Sequence, residues 1–182
     1  MAPPTPPILN GHSETVIAQT CQTYNLTPSE FAQLRDRAVA AKATSYSPYS
    51  KFRVGAVLLS TGKVNAAVTG ERSSSSSSSE GTYTPGANVE NASYPVTTCA
   101  ERVAFGRAIT EGHRGFKAVA VATDISPPAS PCGMCRQFIR EFCELSMPIL
   151  MFDKDENFSV LRLEDLLPLS FGPDQMGIEG AA

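Results

Sequence analysis

Tryptophan is absent from the 182 residues, histidine occurs only twice, and no stretch concentrates lysine or arginine. With 15 Lys and Arg against 18 Asp and Glu, the formal net charge is -3. Lacking a basic block, the chain does not fit a protein whose affinity comes from neutralising phosphates; a small neutral ligand fits better. His12 lies in a polar N-terminal stretch and His113 follows Gly112 at an expected helix end, so neither has ligand spacing to another metal-binding side chain. No apolar run approaches the ~18 residues that cross a bilayer. The first ten residues carry four prolines where an export signal needs a charged region and then an apolar one. The expectation is a soluble, non-exported protein, cytoplasmic or also nuclear, with neither nucleic acid nor membrane as partner. The cysteines are Cys21, Cys99, Cys132, Cys135 and Cys143, an odd number that speaks against a disulfide framework. Asn25, Asn91 and Asn157 open glycosylation sequons that matter only in a secreted chain.

What is present suffices for one core. Hydrophobic residues make up 42% of the chain, and a domain of this size buries roughly 70% of its unfolded surface. Residues 1–27 are rich in Pro, Thr, Gln and Ser without a clear period, and read as a loosely ordered arm. After Pro28, with Ser29 as N-cap, Phe31, Leu34, Ala38, Val39 and Ala41 recur at helical steps to about Ala43. Alternation from Phe52 to Leu58, closed by Thr61 and Gly62, reads as a strand. Seven consecutive serines, Ser73 to Ser79, form the centre of a solvated insertion at about 71–81. A strand near 83–90, a helix from Cys99 to about Glu111 and the buried strand Phe116 to Thr123 follow. Then come a helix with Ser130 as N-cap and Pro131 at its first position, a strand over 148–152, and a short helix over 161–167 stopped by Pro168. Asp153, Asp155 and Glu156 read as a solvated hairpin turn, and Glu164 and Asp165 as the exposed face of that short helix. This order predicts one α/β domain over 28–175, a three-layer arrangement with helices on both faces of a single sheet, and a tail over 176–182.

The chemistry gathers at three cysteines. Cys132 and Cys135 bracket Gly133 and Met134 at the start of one helix, and Cys99 opens another. Thiols one helical turn apart at a helix N-terminus can converge on a metal, and the positive end of the dipole favours their thiolates. Taken alone, the pair reads equally well as two small core residues, and a redox role would leave Cys99 unused. Cys99-Ala100-Glu101 ahead of Pro131-Cys132-x-x-Cys135 adds the layout of a zinc deaminase: a first ligand two residues before a non-ligating Glu, then a Pro-Cys-x-x-Cys pair. Three protein ligands with an open fourth position are the catalytic zinc pattern, whereas a four-cysteine site is closed. Glu101 also completes a Thr98-x-x-Glu101 capping box, which gives it a purely structural alternative. Asn88 and Glu90, two apart on a strand, point to one face and can grip sugar hydroxyls with an amide and a carboxylate; their alternative is a turn signal at a strand edge. Phe52 reads most simply as a core aromatic, and Phe171 as a packing residue.

The stretches Tyr46-Ser-Pro-Tyr-Ser-Lys-Phe-Arg-Val-Gly-Ala56, Asn88-Val-Glu-Asn-Ala-Ser-Tyr-Pro95, Cys99-Ala-Glu-Arg102, Ser130-Pro-Cys-Gly-Met-Cys-Arg-Gln137 and Leu166-Leu-Pro-Leu-Ser-Phe-Gly-Pro173 resemble the small, homotetrameric cytidine deaminases over residues 31–175. The resemblance implies a central mixed sheet of about five strands and one zinc ion per chain on Cys99, Cys132 and Cys135. It further implies hydrolytic deamination of cytidine and 2'-deoxycytidine in pyrimidine salvage, with Glu101 carrying protons. Phe52, Asn88, Glu90 and Ala100 would meet the nucleoside, and Phe171 the base bound in a neighbouring subunit. Two departures stand out: the serine tract replaces a short turn, and Arg53 occupies a position where the family commonly has Pro or another residue, a change expected to be tolerated. Arg102 is expected to tune charge, its guanidinium within about 3.5 Å of the Cys99 or Cys132 sulfur. Other readings are a relative acting on a nucleoside antibiotic or single-stranded nucleic acid, and a closed structural zinc module that binds a protein partner.

Overall fold

In the computed structural model, residues 5–62 and 81–177 are described. Five strands form one mixed sheet in the order β2-β1-β3-β4-β5: β1 Val54–Ser60, β2 Tyr83–Ala87, β3 Phe116–Thr123, β4 Pro148–Phe152 and β5 Phe158–Arg162. Only β3 and β4 pair in parallel; the other pairs are antiparallel. The helices are α1 Glu14–Tyr24, α2 Pro28–Ala41, α3 Ala100–Thr110, α4 Gly133–Arg140 and α5 Leu163–Leu166. None is long and apolar enough to cross a membrane.

The period-2 alternation of the strands sorts them onto two cores. Ala56, Leu58, Val119, Val121, Ile149 and Met151 face α3, α4 and α5 through Ala104, Phe105, Ala108, Ile139 and Leu163. Val57, Leu59, Ala118, Ala120, Leu150 and Phe152 face α1 and α2 through Cys21, Phe31, Leu34 and Ala38. The Phe31 ring meets Phe152 and Phe158 edge-on at centroid distances of 5.8 and 5.1 Å, an arrangement favoured by the ring quadrupoles.

Several boundaries differ from the sequence reading. Within the expected arm, residues 14–24 form α1: Ser13 caps it by accepting from the Val16 N–H, and Asn25 ends it in the left-handed region at φ 53°. Its weak pattern conceals a polar buried residue, since Thr20 returns its hydroxyl to the Val16 carbonyl at 2.9 Å, and Leu9 exchanges both backbone hydrogen bonds with Phe158. The cap of α2 is Thr27 rather than Ser29, in a reciprocal capping box with Glu30 and with Pro28 at the first position. Cys132, not Ser130, caps α4. The hairpin at 153–157 exists, but Asp153 is buried; its Oδ1 accepts from the Asp155 and Asn157 N–H groups at 2.9 Å each and its Oδ2 from Ser126. The hairpin leads into β5, whose last two residues, Leu161 and Arg162, take the start of the stretch expected as a short helix. The serine tract, and the tail beyond 177, lie outside the described residues.

Gly86 fixes how closely α3 approaches the sheet. A Cβ there would lie 2.5 Å from the Ala104 nitrogen and 2.7 Å from the Ala100 oxygen, both backbone atoms of α3. Backbone cannot step aside as a side-chain tip can, so Gly86→Ala is expected to destabilise by about 1–3 kcal/mol in chemical denaturation. Gly106, inside α3 with open space around it, is the contrast: Gly106→Ala should stabilise by about 0.5–1 kcal/mol through helix propensity.

Candidate metal centre and pocket

The chain leaves β2 and β3 to start α3 and α4 on the same face of the sheet, and the two helix starts carry the cysteines. Cys99 is the N-cap of α3, Cys132 the N-cap of α4, and Cys135 lies in the first turn of α4. Their three sulfurs all lie within 4.8 Å of one another, with Cys99 and Cys132 3.8 Å apart. A zinc ion with tetrahedral Zn–S bonds of ~2.3 Å separates its sulfurs by roughly 3.8 Å, so the donor set fits the ion. Cys135 is buried, Cys99 half-buried and Cys132 exposed; the trio is therefore approachable from one side. Cys21 lies in the core on the far side of the sheet and Cys143 in the core beneath α3 and α4, and neither joins the cluster. Hydrogen bonds from Cys135, then Arg102 and Cys132, pull the Cys99 thiol down to about 5 against the opposing effect of burial. The Cys135 thiol moves the opposite way, first as the donor to Cys99 and then through its burial.

Glu101 is 4% exposed and lies in the first turn of α3. The capping box with Thr98 does not form: the cap is Cys99, and it makes no side-chain cap bond. The carboxyl is thus not tied into a box with Thr98. Burial raises its pKa, with the Cys99 charge adding to the rise and hydrogen bonds from its own backbone N–H and from Cys135 opposing it. Glu101, Cys99 and Cys132 line a cavity of about 260 Å³ together with Phe52, Asn88 and Glu90.

Asn88 and Glu90 lie just past the end of β2, kept extended by bridges from Val89 to Tyr46 and Thr98. The Asn88 carbonyl oxygen accepts from the Ser45 hydroxyl at 2.6 Å and the Val54 N–H at 2.8 Å, while its Nδ2 donates to the Phe52 carbonyl at 2.9 Å. Only one amide hydrogen is left for anything else. Glu90 accepts from the Tyr49 and Ser50 N–H groups, at 2.9 and 3.2 Å, and from the Ser50 hydroxyl; the Ser50 bond chiefly lowers its pKa. Phe52 lines the cavity rather than joining the core. The Ala100 side chain is fully buried in the core and does not line the cavity. Phe171 is 61% exposed and is not part of the cavity wall of its own chain. Arg102 reaches the cluster less closely than expected, because its Nη2 is anchored on the Thr97 carbonyl at 2.8 Å and lies 3.9 Å from the Cys99 sulfur.

Several residues of the site escaped the sequence reading. Ser45 and Ser50 look like turn residues, yet they preset the amide and the carboxylate. Arg136 ties down the loop before Cys132: Nε donates to the Pro131 carbonyl, Nη1 to the Leu166 carbonyl and Nη2 to the Ser130 hydroxyl, at 2.7–2.8 Å. Its signal was only its place within Ser130-Pro-Cys-Gly-Met-Cys-Arg-Gln137.

Residues 29–151 match the family model described as the cytidine and deoxycytidylate deaminase zinc-binding region. The chain is 40% identical over 136 residues to a cytidine deaminase of Sporosarcina psychrophila, a match covering 75% of this chain and 87% of that protein. It is 37% identical over 127 residues to a probable cytidine deaminase of Dictyostelium discoideum, covering 69% and 74% of the two chains. Among solved structures, the cytidine deaminase of Burkholderia pseudomallei superposes with a TM-score of 0.66 at 34% identity, covering 77% of this chain and 98% of that one. That of Mycobacterium tuberculosis gives 0.56 at 34% identity over 79% and 98%. A family model spanning most of the chain, relatives above the identity at which folds and sites are shared, and the three-sulfur cluster place this chain in the cytidine and deoxycytidylate deaminase family.

Proposed function

We propose that the protein hydrolyses cytidine and 2'-deoxycytidine to uridine and 2'-deoxyuridine with release of ammonia, as a step of pyrimidine salvage. The observation that carries this reading is Glu101: a buried carboxyl in the first turn of α3, not tied into a capping box with Thr98, on the wall of the cavity that also holds Cys99 and Cys132. Cys99, Cys132 and Cys135 would hold one zinc ion per chain. Bound there, zinc supplies the Lewis acidity that brings the ionisation of water towards neutral pH.

The chain's own residues perform the rest. Glu101 takes a proton from water as the water oxygen bonds to C4 of the pyrimidine, then returns protons to ring N3 and to the departing amine. The C4–N bond breaks, and the two hydrogens of water end on N3 and on ammonia. Burial suits this double duty, because it raises the carboxyl's affinity for the proton it must hold between the two steps. Asn88 would donate its remaining amide hydrogen to a sugar hydroxyl, with Glu90 accepting from the sugar; Ser45 and Ser50 keep both groups aimed before substrate arrives. Three thiolates on a dication leave about one excess negative charge. The helix starts and Arg102, 3.9 Å from the Cys99 sulfur, would offset it.

We also infer a homotetramer in which Phe171 enters a neighbour's cavity. Phe171 is exposed and absent from the wall of its own chain's cavity, while Gln137 of α4 holds the Phe171 carbonyl at 2.9 Å. Such a fixed, solvent-facing aromatic suits a contact between copies. A free nucleoside is preferred over single-stranded nucleic acid because the net charge is -3 and strand binding calls for a basic groove. A closed structural zinc module is disfavoured because Cys21 and Cys143 stand apart from the three sulfurs.

Metal analysis of the purified protein is expected to give about one zinc per chain. Cys99→Ala, Cys132→Ala and Cys135→Ala should each lose most of it, while Cys21→Ala and Cys143→Ala retain it; zinc that survives loss of Cys99 would refute the three-thiolate site. In an ammonia-release assay on cytidine, Glu101→Gln should keep zinc and fold but lose at least ~10²-fold in turnover, since an amide cannot accept the proton. A variant that is merely less stable would return Glu101 to a structural role. Sedimentation should give a tetramer, and Phe171→Ala should lower kcat/KM; a fully active monomer would remove the shared-site claim.

A further inference from the structure

Of the polar cavity-wall side chains that the proposed mechanism does not use, Thr97 and Ser130 bond within the chain, and Thr123 does not. Thr123, the last residue of β3, is 2% exposed, and its hydroxyl has no hydrogen-bond partner. Of the buried side-chain nitrogens and oxygens among the described residues, the only other without a partner is the Arg102 Nε, so such an omission is uncommon in this chain. A buried hydroxyl left unpaired is unfavourable, and one kept in a cavity wall calls for a functional reason. Nothing on the strand demands a threonine: the residues that precede it on the same face, Val119 and Val121, are valines.

Register places the side chain. Thr123 pairs with Val54 across the β3–β1 ladder, and Val121 with Ala56. Val54 and Val121 both line the cavity, as does Thr123 itself, and residues two apart on a strand share a face. Across the sheet, β2 ends next to Asn88, β1 begins at Val54 and β3 ends at Thr123, so Thr123 stands two strands, roughly 10 Å, from Asn88. The chain that follows β3 supplies Ala129, Ser130 and Cys132 to the same wall. Thr123 therefore stands with Ala129, Ser130 and Cys132 on the β3 side of the cavity, across the Val54 strip from the amide and carboxylate that would take the sugar.

From this geometry we propose that Thr123 is a substrate-binding residue whose hydroxyl hydrogen-bonds the pyrimidine base rather than the sugar. The inference rests on the nucleoside reading above and adds a contact to it. No protein partner holds the hydroxyl, so rotation about Cα–Cβ, which exchanges methyl and hydroxyl, is all that is required to recruit it.

The test separates binding from structure by sign. Thr123→Val keeps the shape and removes the hydroxyl. In the zinc-loaded full chain, KM for cytidine should rise about tenfold with kcat within about twofold of wild type. At the same time the melting temperature of the ligand-free protein should rise by about 2–4 °C, because an unpaired buried polar group has been removed. Thr123→Ser should bring KM back towards wild type. The KM ratio should be the same for cytidine, 2'-deoxycytidine and 5'-deoxycytidine; an effect that disappears with one sugar-modified substrate overturns the assignment to the base. A Thr123→Val protein with unchanged KM, or with a lowered melting temperature, overturns the proposal. A wild-type protein that releases no ammonia from cytidine would instead overturn the nucleoside reading, while the melting shift still reports whether the hydroxyl is unpaired.

Discussion

The 3.8 Å approach of the Cys99 and Cys132 sulfurs depends on two helices beginning side by side. Their placement is a consequence of strand order. β2 and β3 flank β1, both antiparallel to it, and so run in the same direction about two strand spacings apart. The helices that follow them, α3 and α4, pack on the same face. Two strand spacings, roughly 10 Å, match the separation of packed helices, so the two N-termini arrive together. Small residues keep them there. Gly86 and Ala104 let α3 settle on β2, and Arg136 pins the Ser130-Pro131 segment to the end of α5. A cluster of like-charged thiolates would push apart in a looser scaffold; here the positive ends of two helix dipoles are directed at it.

A second constraint prepares the rest of the cavity. The loop between α2 and β1 would otherwise be free, but Asn88 and Glu90 hold it through Ser45, Tyr49, Ser50, Phe52 and Val54. The two groups that would grip a sugar are therefore the ones that fix the loop carrying Phe52. Recognition and loop order rest on the same side chains, and losing either residue would disorder the wall as well as remove a contact. This double use explains why the amide faces the cavity with a donor only: both of its acceptor positions are filled from within the chain.

Legibility in the sequence tracked the length scale of the interaction. The three-layer α/β plan, the cysteine trio and Glu101 could be read because strand alternation, helix periodicity and the CxxC spacing are local patterns. What depended on distant partners was misread. α1 was concealed because its polar Thr20 is buried by bonding its own helix turn and Leu9 pairs with Phe158, far along the chain. β5 was concealed because Asp153, which reads as solvated, is the buried centre of a turn. The Thr98-Glu101 capping box matched a genuine pattern, but the cap falls one residue later, at Cys99, and the box is not made. Ser45 gave no signal, and Ser50 only its place within the Tyr46–Ala56 stretch, since a serine that orients an amide or a carboxylate looks the same in sequence as a serine in any turn.

The two faces of the sheet thus carry different work. The face towards α1 and α2 is closed by aromatic edge contacts and alanines, and no member of the cavity lies there. The face towards α3 and α4 ends, at the carboxyl ends of β2 and β3, in the cavity. In open sheets with crossover helices, that is where strand ends leave backbone and side chains unpaired and where ligands bind. Along this rim the residues pass from Asn88 through Val54 to Thr123, and the sulfurs lie above it on the helix starts. The order matters chemically. Asn88 and Glu90 stand on the β2 side, Thr123 and the Ala129–Cys132 segment on the β3 side, and between them an apolar strip of Val54 and Val121 can cover a flat ring, with the sulfurs on the helix starts above it. A flat ring laid on that strip faces the reactive groups above it while a hydroxylated substituent reaches the amide and carboxylate beside it, and a pyrimidine nucleoside has those parts.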